Sequence, residues 1–224
     1  MVTITDTALL RLLQLSSAAL PVGGYSFSQG LEYAIDSGWL KNAEDISQWL
    51  SLQLQQSLAN TDLPLLSRQL QAARIADSKA MDYWNCYTLA CRETSELRLN
   101  DTAMGAAMVR LLNHLDVPMP LCEQREITFV AAFAMAAAHW QIDCRTACQG
   151  YLWSWLENQV AAATKLVPLG QTSAQQLLGE LLPVIPLAIN QSETIADEQI
   201  GSSLPAVAMA SAWHETQYSR LFRS

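Results

Sequence analysis

Helical periodicity most constrains how this 224-residue chain can fold. Near the start, "TALLRLLQL" repeats leucine at spacings of three and four, and a later ridge is spaced by fours: Ile46, Leu50, Leu54 and Leu58. Such spacing places apolar side chains on one face of an α-helix. No segment alternates apolar and polar residues over the length of a strand. We therefore predict an all-α fold, a single-domain helical bundle of about ten helices over residues 1–224.

Two segments stand out in the organisation of the chain. Residues 129–138, "FVAAFAMAAA", are apolar on every side and are expected at the centre of the bundle. Residues at about 190–204 are polar and acidic, which favours a linker. The helical stretch and end that follow, at about 205–224, then form a C-terminal interaction tail.

The charge balance excludes several functions. The formal net charge is -8 and no run of Lys and Arg occurs, which argues against nucleic-acid binding. The chain begins without a secretory signal pattern, and its longest apolar run is too short to cross a bilayer. We predict a cytoplasmic protein without membrane contact. Only 15% of residues are charged and 50% are hydrophobic, so either the core is large or a partner covers apolar surface.

The five cysteines form no C-x-x-C motif and are expected as reduced thiols. Cys144 and Cys148 lie four apart, on one face if helical, with His139 just upstream. This spacing is not that of a zinc finger, and a fourth ligand is missing. We expect core packing at these thiols, no bound metal and no cofactor.

The stretch "LPVGGYSFSQGLE", residues 20–32, admits several interpretations. A nucleophile elbow around Ser26 lacks its closing glycine and a leading strand, and no histidine carries a local signature of a base. No phosphate-loop motif is present, although a helix N-terminus could hold an anion. Ser26 also fits the N-cap position of a helix, and Gln29, three residues later, would complete a capping box. The residues alone leave a plain helix junction and a partner surface both open.

Three further features carry charge or aromatic side chains. "CRETSELRLND" pairs Arg92 with Glu96 and Thr94 with Arg98 at a spacing of four, which indicates a solvated, ion-paired face or a polar docking surface. Lys165 ends a helix, where a cation favours the negative end of the dipole. The terminal "HETQYSRLFRS" interleaves rings and cations as interface anchors do, with these members: His214, Tyr218, Arg220, Leu221, Phe222 and Arg223.

These stretches together resemble the urease accessory protein UreF family. The resemblance rests on "LLQLSSAALPVGGYSFSQGLEYAIDSGWL", "ACRETSELRLND", "YLWSWLENQVAAATKLVPLGQTSAQQLL" and "HETQYSRLFRS", in that order along most of the chain. It implies an all-α, usually dimeric protein with no catalytic activity, a chaperone and adaptor for nickel insertion into urease. The implied partners are UreD (UreH), the GTPase UreG and the urease apoprotein, with a tail that becomes ordered in the complex.

The resemblance also implies a set of partner-binding residues, and no catalytic or metal-binding ones. The set is Pro21, Gly23, Gly24, Tyr25, Ser26, Gln29, Glu32, Lys165, His214, Glu215, Tyr218, Arg220, Leu221, Phe222 and Arg223. Two alternatives remain open. One is a regulator of GTP hydrolysis by UreG, for which Arg220 or Arg223 would supply an arginine. The other is a small helical hydrolase that uses Ser26. A tail deleted from His214 onward is expected to leave a folded protein that cannot join UreD.

Overall fold

The structure is a computed structural model that describes residues 4–119 and 126–222. Arg223, named above, and Cys122 lie outside these residues. The described part contains no strand, and its helices are α1 Asp6–Leu15, α2 Leu31–Asp36, α3 Ala43–Leu52, α4 Asp62–Arg74, α5 Ser78–Ala90, α6 Ser95–His114, α7 Phe129–His139, α8 Cys144–Leu166, α9 Gln171–Leu181, α10 Val184–Ser192 and α11 Pro205–His214. The all-α single domain predicted from periodicity is confirmed.

Local capping sets several helix starts. Asn42 accepts a hydrogen bond from the Asp45 amide at the start of α3, and Asp143 accepts one from the Thr146 amide at the start of α8. The capping box at Ser26 is wrong: Ser26 ends a short 3₁₀ turn, and α2 begins only at Leu31. The capping pattern gives the wrong helix start there because the backbone turns at Gly23 and again at Gly30 before α2 begins.

The leucine ridge of the third helix is buried throughout, although the helix is not uniform. After Leu52 the backbone continues as a π-helical stretch, Gln53–Leu58, in which the Ala59 amide bonds to the Leu54 carbonyl. Widening the turn in this way shifts the side chains relative to ideal α-helical spacing. Leu54 and Leu58 nevertheless remain inside, because a spacing of four still keeps them on the core side.

Helix α7 lies at the centre of the bundle, as its apolar sequence predicts. Every residue from Phe129 to Ala137 is buried, and the helix packs between α4 and α6. The long helix α8 lies beside it and also contacts helices from both ends of the chain. Stripping water from so many apolar side chains is the main stabilising term of the fold.

The segment predicted as a linker, 190–204, rests on the body of the domain. The Arg68 guanidinium donates to the Ile195 carbonyl at 2.7 Å and pairs with Asp197. Ile200 is buried, and the Gly201 amide donates to the Asn60 carbonyl at 3.0 Å. These contacts bring α11 back against α2 and α6. The division into linker and interaction tail stays a prediction.

Candidate partner interface around the C-terminal tail

The glycine pair near the start forms the turn that presents Tyr25. Gly23 has a φ of 78°, a left-handed conformation that glycine adopts without strain. Gly24 then opens the 3₁₀ turn Gly24–Ser26 and is buried. The turn leaves the Tyr25 ring 58% exposed. Pro21, before the turn, is exposed as well.

A second tight turn brings the start of α2 against α11. Gly30 has a φ of 83°, and a Cβ built on it would lie 2.9 Å from the Ser211 amide nitrogen. Only glycine allows this approach of the two backbones. Beside it, the Gln29 Oε1 accepts a hydrogen bond from the Trp155 indole at 2.9 Å. Gly30 and Trp155 are positions that the sequence did not single out.

His214, the last residue of α11, is buried between two carboxylates. Its Nε2 lies 3.0 Å from the Glu32 Oε2 and its Nδ1 lies 2.8 Å from the Glu96 Oε2. The Glu96 amide in turn donates to the Glu215 Oε1 at 3.1 Å. The sequence pointed to both Glu32 and His214 but gave no sign that Glu96 would join them, because Glu96 lies 118 residues from His214 along the chain.

The carboxylates decide the protonation of this imidazole. Burial acts to lower the pKa of His214, but the hydrogen bonds and charges of Glu96 and Glu32 outweigh it, so its pKa lies above the ordinary value. A protonated ring can donate from both nitrogens, which matches the two carboxylate oxygens that face it. The charged form of His214 therefore completes the network.

Glu32 also holds the end of the chain. Its Oε1 accepts from the Leu221 amide at 2.6 Å, and its Oε2 accepts from the Phe222 amide at 2.9 Å. Phe222 is buried, whereas Leu221 is 62% exposed and Tyr218 is fully exposed. A groove of about 520 Å³ runs between this segment, α2 and the end of α8. The tail is thus fixed by its backbone while two apolar side chains point outward.

Lys165 joins the turn and the tail. Its Nζ lies 5.8 Å from the centre of the Tyr25 ring and 5.3 Å from the centre of the Phe222 ring. Both distances lie within the range of cation–π attraction. The lysine is the basic residue in the last turn of α8, so the helix dipole favours it there too.

The structure gathers most of the predicted partner-binding residues into one region, named here the tail face. Its exposed members are Tyr25, Lys165, Tyr218, Arg220 and Leu221. Glu32, His214 and Phe222 lie beneath them in the interior. A direct partner contact is therefore open to the exposed members, while the buried ones can act only by positioning them.

The charge cluster "CRETSELRLND" corrects one prediction. The predicted pairing of Arg92 with Glu96 does not form: the Arg92 side chain is only 14% exposed and pairs with Asp62 at 2.8 Å and with Asp101 at 2.7 Å, whereas Arg98 stays exposed. The Tyr151 hydroxyl donates to Asp62 at 3.1 Å. Burial raises the pKa of Tyr151, and the charges of Asp62 and Asp101 raise it further. A spacing of four suggested the wrong partner because Asp101 lies 9 residues from Arg92 along the chain and Asp62 lies 30 residues from it.

The geometry does not assemble a serine hydrolase. Both ring nitrogens of His214 are hydrogen-bonded to carboxylates, so this imidazole cannot take a proton from Ser26.

Over residues 4–119 and 126–222, no three His, Cys, Asp or Glu side chains are grouped so as to hold a metal ion. None of the helices described there is both long and apolar enough to span a membrane.

Comparison with known proteins identifies the family of this chain. The UreF family model matches residues 40–182. The chain is 59% identical to a urease accessory protein UreF from Marinomonas sp. (strain MWYL1), over 98% of this chain and 96% of the relative. It is 49% identical to the Alkalilimnicola ehrlichii protein of the same name and 48% identical to that of Hahella chejuensis, with at least 95% of each chain covered. Those names designate accessory proteins and not enzymes. The chain belongs to the UreF family of urease accessory proteins.

Proposed function

We propose that this protein is a non-catalytic adaptor and chaperone of urease maturation. It binds UreD (UreH) and recruits the GTPase UreG to the urease apoprotein, so that nickel can be inserted. The observation that carries the proposal is the tail face: a buried network fixes the chain end so that Tyr218 and Leu221 project beside Tyr25 and Lys165.

The chemistry of this face suits a protein partner. Exposed tyrosine and leucine side chains supply apolar area, and the nearby cations supply polar contacts at the edge. Interface hot spots are enriched in tyrosine and arginine and cluster where water is excluded on binding. A partner that covers this face would bury side chains that are at least half exposed in the single chain: Tyr25, Tyr218 and Leu221.

Holding the tail in advance would strengthen such binding. Ordering a loose chain end at an interface costs conformational entropy and lowers the affinity. Here the Leu221 and Phe222 amides already bond to Glu32, and His214 holds Glu32. Glu32 and His214 therefore serve the interface as positioning residues.

The test uses surface variants that spare the buried network. In the full chain, Tyr218→Ala with Leu221→Ser removes both projecting side chains, and Tyr83→Ala on α5 removes an exposed ring elsewhere. Each protein is co-expressed with UreD and then with UreG, and complexes are isolated by affinity purification. We expect the tail variant to lose most of its co-purification, by about tenfold or more for a lost hot spot, while Tyr83→Ala behaves like the wild type.

Wild-type recovery of UreD by a folded tail variant would overturn the assignment of the tail face. A deletion from His214 onward is a poorer test than the sequence suggested, because it removes the imidazole buried between Glu32 and Glu96. A chain that stops after Gln217 keeps His214 but also removes the buried Phe222 and the two amides that bond to Glu32, so the double variant at Tyr218 and Leu221 remains the primary test. Circular dichroism and thermal unfolding confirm that each variant is folded.

The proposal includes a homodimer within the complex. Closed two-fold symmetry is the commonest arrangement of soluble oligomers, and a dimer would present two tail faces to two sets of partners. Light scattering of the protein alone and of its complex with UreD measures the mass of each. A complex with one copy of this chain per assembly would remove the dimer from the proposal.

A further inference from the structure

Glu32 connects the interior of the domain with the chain end. Its Oε2 lies 3.0 Å from the His214 Nε2, and its two oxygens accept the amides of Leu221 and Phe222. The Glu32 side chain is only 7% exposed. A carboxylate charge with so little access to water is stable only while its oxygens receive hydrogen bonds. The chain end is therefore held only as firmly as Glu32 itself is held.

The imidazole of His214 can donate to both of its carboxylates only when it is protonated. Its Nδ1 lies 2.8 Å from the Glu96 Oε2, and its Nε2 faces the Glu32 Oε2. A protonated ring donates from both nitrogens, whereas a neutral ring donates from one and has a lone pair on the other. A lone pair that faces a carboxylate oxygen at this distance is repelled. Loss of the proton therefore breaks one of the two contacts.

The other partners of the two carboxylates decide which contact breaks. Within the described residues, the Glu96 Oε1 has no hydrogen-bond partner, and the Glu96 Oε2 is bonded to His214. Glu32 has two further donors, the amides of Leu221 and Phe222. Because Glu96 depends on the ring more than Glu32 does, the single proton of a neutral ring stays on Nδ1. Glu32 is then the carboxylate that faces the lone pair.

The charged groups around the ring set the pH range in which this happens. Among the described residues, its ion-pair partners are Glu32 from α2 and Glu96 from α6, the helices against which α11 packs. Further charged side chains beside these carboxylates are Glu215, whose Oε1 accepts the Glu96 amide, and Asp36 and Arg220, which line the groove at Glu32. Burial acts to lower the pKa of His214, but Glu96 and Glu32 raise it above 6.5. The ring is therefore charged below that value and loses its proton as the pH rises through the raised value.

We propose that His214 is a pH-dependent switch of the tail face: the protonated ring holds Glu32 and with it the chain end, and the neutral ring releases both. The step is the loss of one proton from the ring Nε2 to water. Tyr218 and Leu221 are then no longer held in advance for a partner, and their ordering adds to the cost of binding. In its consequence for UreD the inference rests on the proposed function, since binding then weakens as the pH rises.

Hydrogen exchange in the full chain tests the release of the chain end. Protection factors, which correct for the intrinsic rate at each pH, are measured from about pH 6 to about pH 9, and NMR of the imidazole nitrogens follows His214 itself. We expect the protection of Leu221 and Phe222 to fall by about tenfold or more as the ring titrates, the effect of losing a hydrogen bond to a charged group. Phe133 in α7 should stay unchanged.

Two outcomes of this measurement would overturn the proposal. One is constant protection of the Leu221 and Phe222 amides while the ring of His214 titrates. The other is a ring that keeps a single protonation state over the whole range. Because the wild-type chain is used, this result does not depend on whether any variant folds.

The variant Glu96→Gln separates a switch from a merely structural contact. Its amide group can donate to the His214 Nδ1, so the neutral ring carries its proton on Nε2 and stays bonded to Glu32. We expect this variant to hold the chain end over the whole range without a step. Glu93→Gln, at an exposed position just before α6, makes the same change in net charge and should keep the wild-type step. Equal pH profiles of the two variants would contradict the switch.

Binding of UreD connects the switch with the proposed function. Dissociation constants are measured over the same pH range for the wild type, Glu96→Gln and Glu93→Gln, so that titration of UreD itself cancels in the comparison. We expect binding by the wild type and Glu93→Gln to weaken by about tenfold relative to Glu96→Gln as the pH rises. Parallel binding curves would overturn the control of binding. Absence of binding at every pH would instead contradict the proposed function, and the exchange of the Leu221 and Phe222 amides would still decide the switch.

Discussion

Two networks in the interior of this protein have the same arrangement of charges but hold different parts of the chain. In the first, which we name the arginine network, Arg92 lies between Asp62 and Asp101. In the second, the histidine network, His214 lies between Glu32 and Glu96. Each places one cationic side chain between two carboxylates in the interior. They differ in the cation and in what the carboxylates hold.

The arginine network ties together the centre of the bundle. It joins α4, the loop before α6, α6 itself and, through Tyr151, α8. Asp101 also accepts from the Phe129 amide at 2.7 Å, which holds the start of α7. Arginine keeps its charge at every pH at which the protein folds. This network is therefore a permanent part of the core.

The histidine network ties the end of the chain to that core. It joins α11 to α2 and α6, and Glu32 also accepts the amides of Leu221 and Phe222. Histidine titrates near neutral pH. A titratable cation therefore lies where the chain end is held, and a permanent one lies where the helices meet.

Removing the permanent cation is the largest expected disruption. Arg92→Met leaves Asp62 and Asp101 buried without a counterion, and breaking such a pair costs about 3–5 kcal/mol of unfolding free energy. Urea unfolding measures the loss. Arg98→Met, on the exposed part of α6 where Arg98 pairs with Glu126, is the matched control and should cost less than about 1 kcal/mol. Similar losses in both variants would contradict the central role of the arginine network.

Removing the titratable cation is expected to cost less. His214→Ala leaves two buried carboxylates, but Glu32 keeps the tail amides as donors, so we expect a loss of about 2–3 kcal/mol at pH 6. Hydrogen exchange should also become faster at Leu221 and Phe222 and stay unchanged in α7. His114→Ala, at an exposed position at the end of α6, is the control. Unaltered protection of the Leu221 and Phe222 amides would show that His214 does not help to hold the tail.

The pH dependence distinguishes the two networks directly. The pKa of His214 is raised in the folded protein, so its contribution to stability is fully present below its unfolded value of 6.5 and is lost as pH rises through the folded value. The free energy of unfolding of the wild type should therefore fall over that range relative to His214→Asn. Subtracting the two curves cancels the groups that both proteins share. Parallel curves would show that His214 does not titrate as described.

The smallest effect concerns the contact that joins the turn to the tail. Lys165→Met removes the cation near Tyr25 and Phe222, and an exposed cation–π contact is worth about 0.5–1 kcal/mol. We expect a loss at the low end of that range, with faster amide exchange at Phe222. Lys79→Met, an exposed lysine of α5, controls for the change in net charge. Equal exchange at Phe222 in both variants would remove Lys165 from the positioning of the tail.

Several local features of the fold follow from the sequence because neighbouring residues create them. Asn42 and Asp143 cap helices because the acceptor and the amide that it caps lie three residues apart. Ser26 looked like a cap by the same rule, but the left-handed turns at Gly23 and Gly30 interrupt the helix. Charge pairing was harder to predict, because Arg92 pairs with Asp62, which lies 30 residues away along the chain, and no local pattern indicates such a partner.

The sequence by itself determined the all-α class, the central position of α7 and the family, because each depends on side-chain periodicity or on residue order. The tertiary structure alone decided which charges became buried and which partners they found. A buried charge is stable only where a counterion arrives from another part of the chain. For that reason Glu96 and Arg92 resembled surface residues in the sequence, and only the folded chain placed them in its interior.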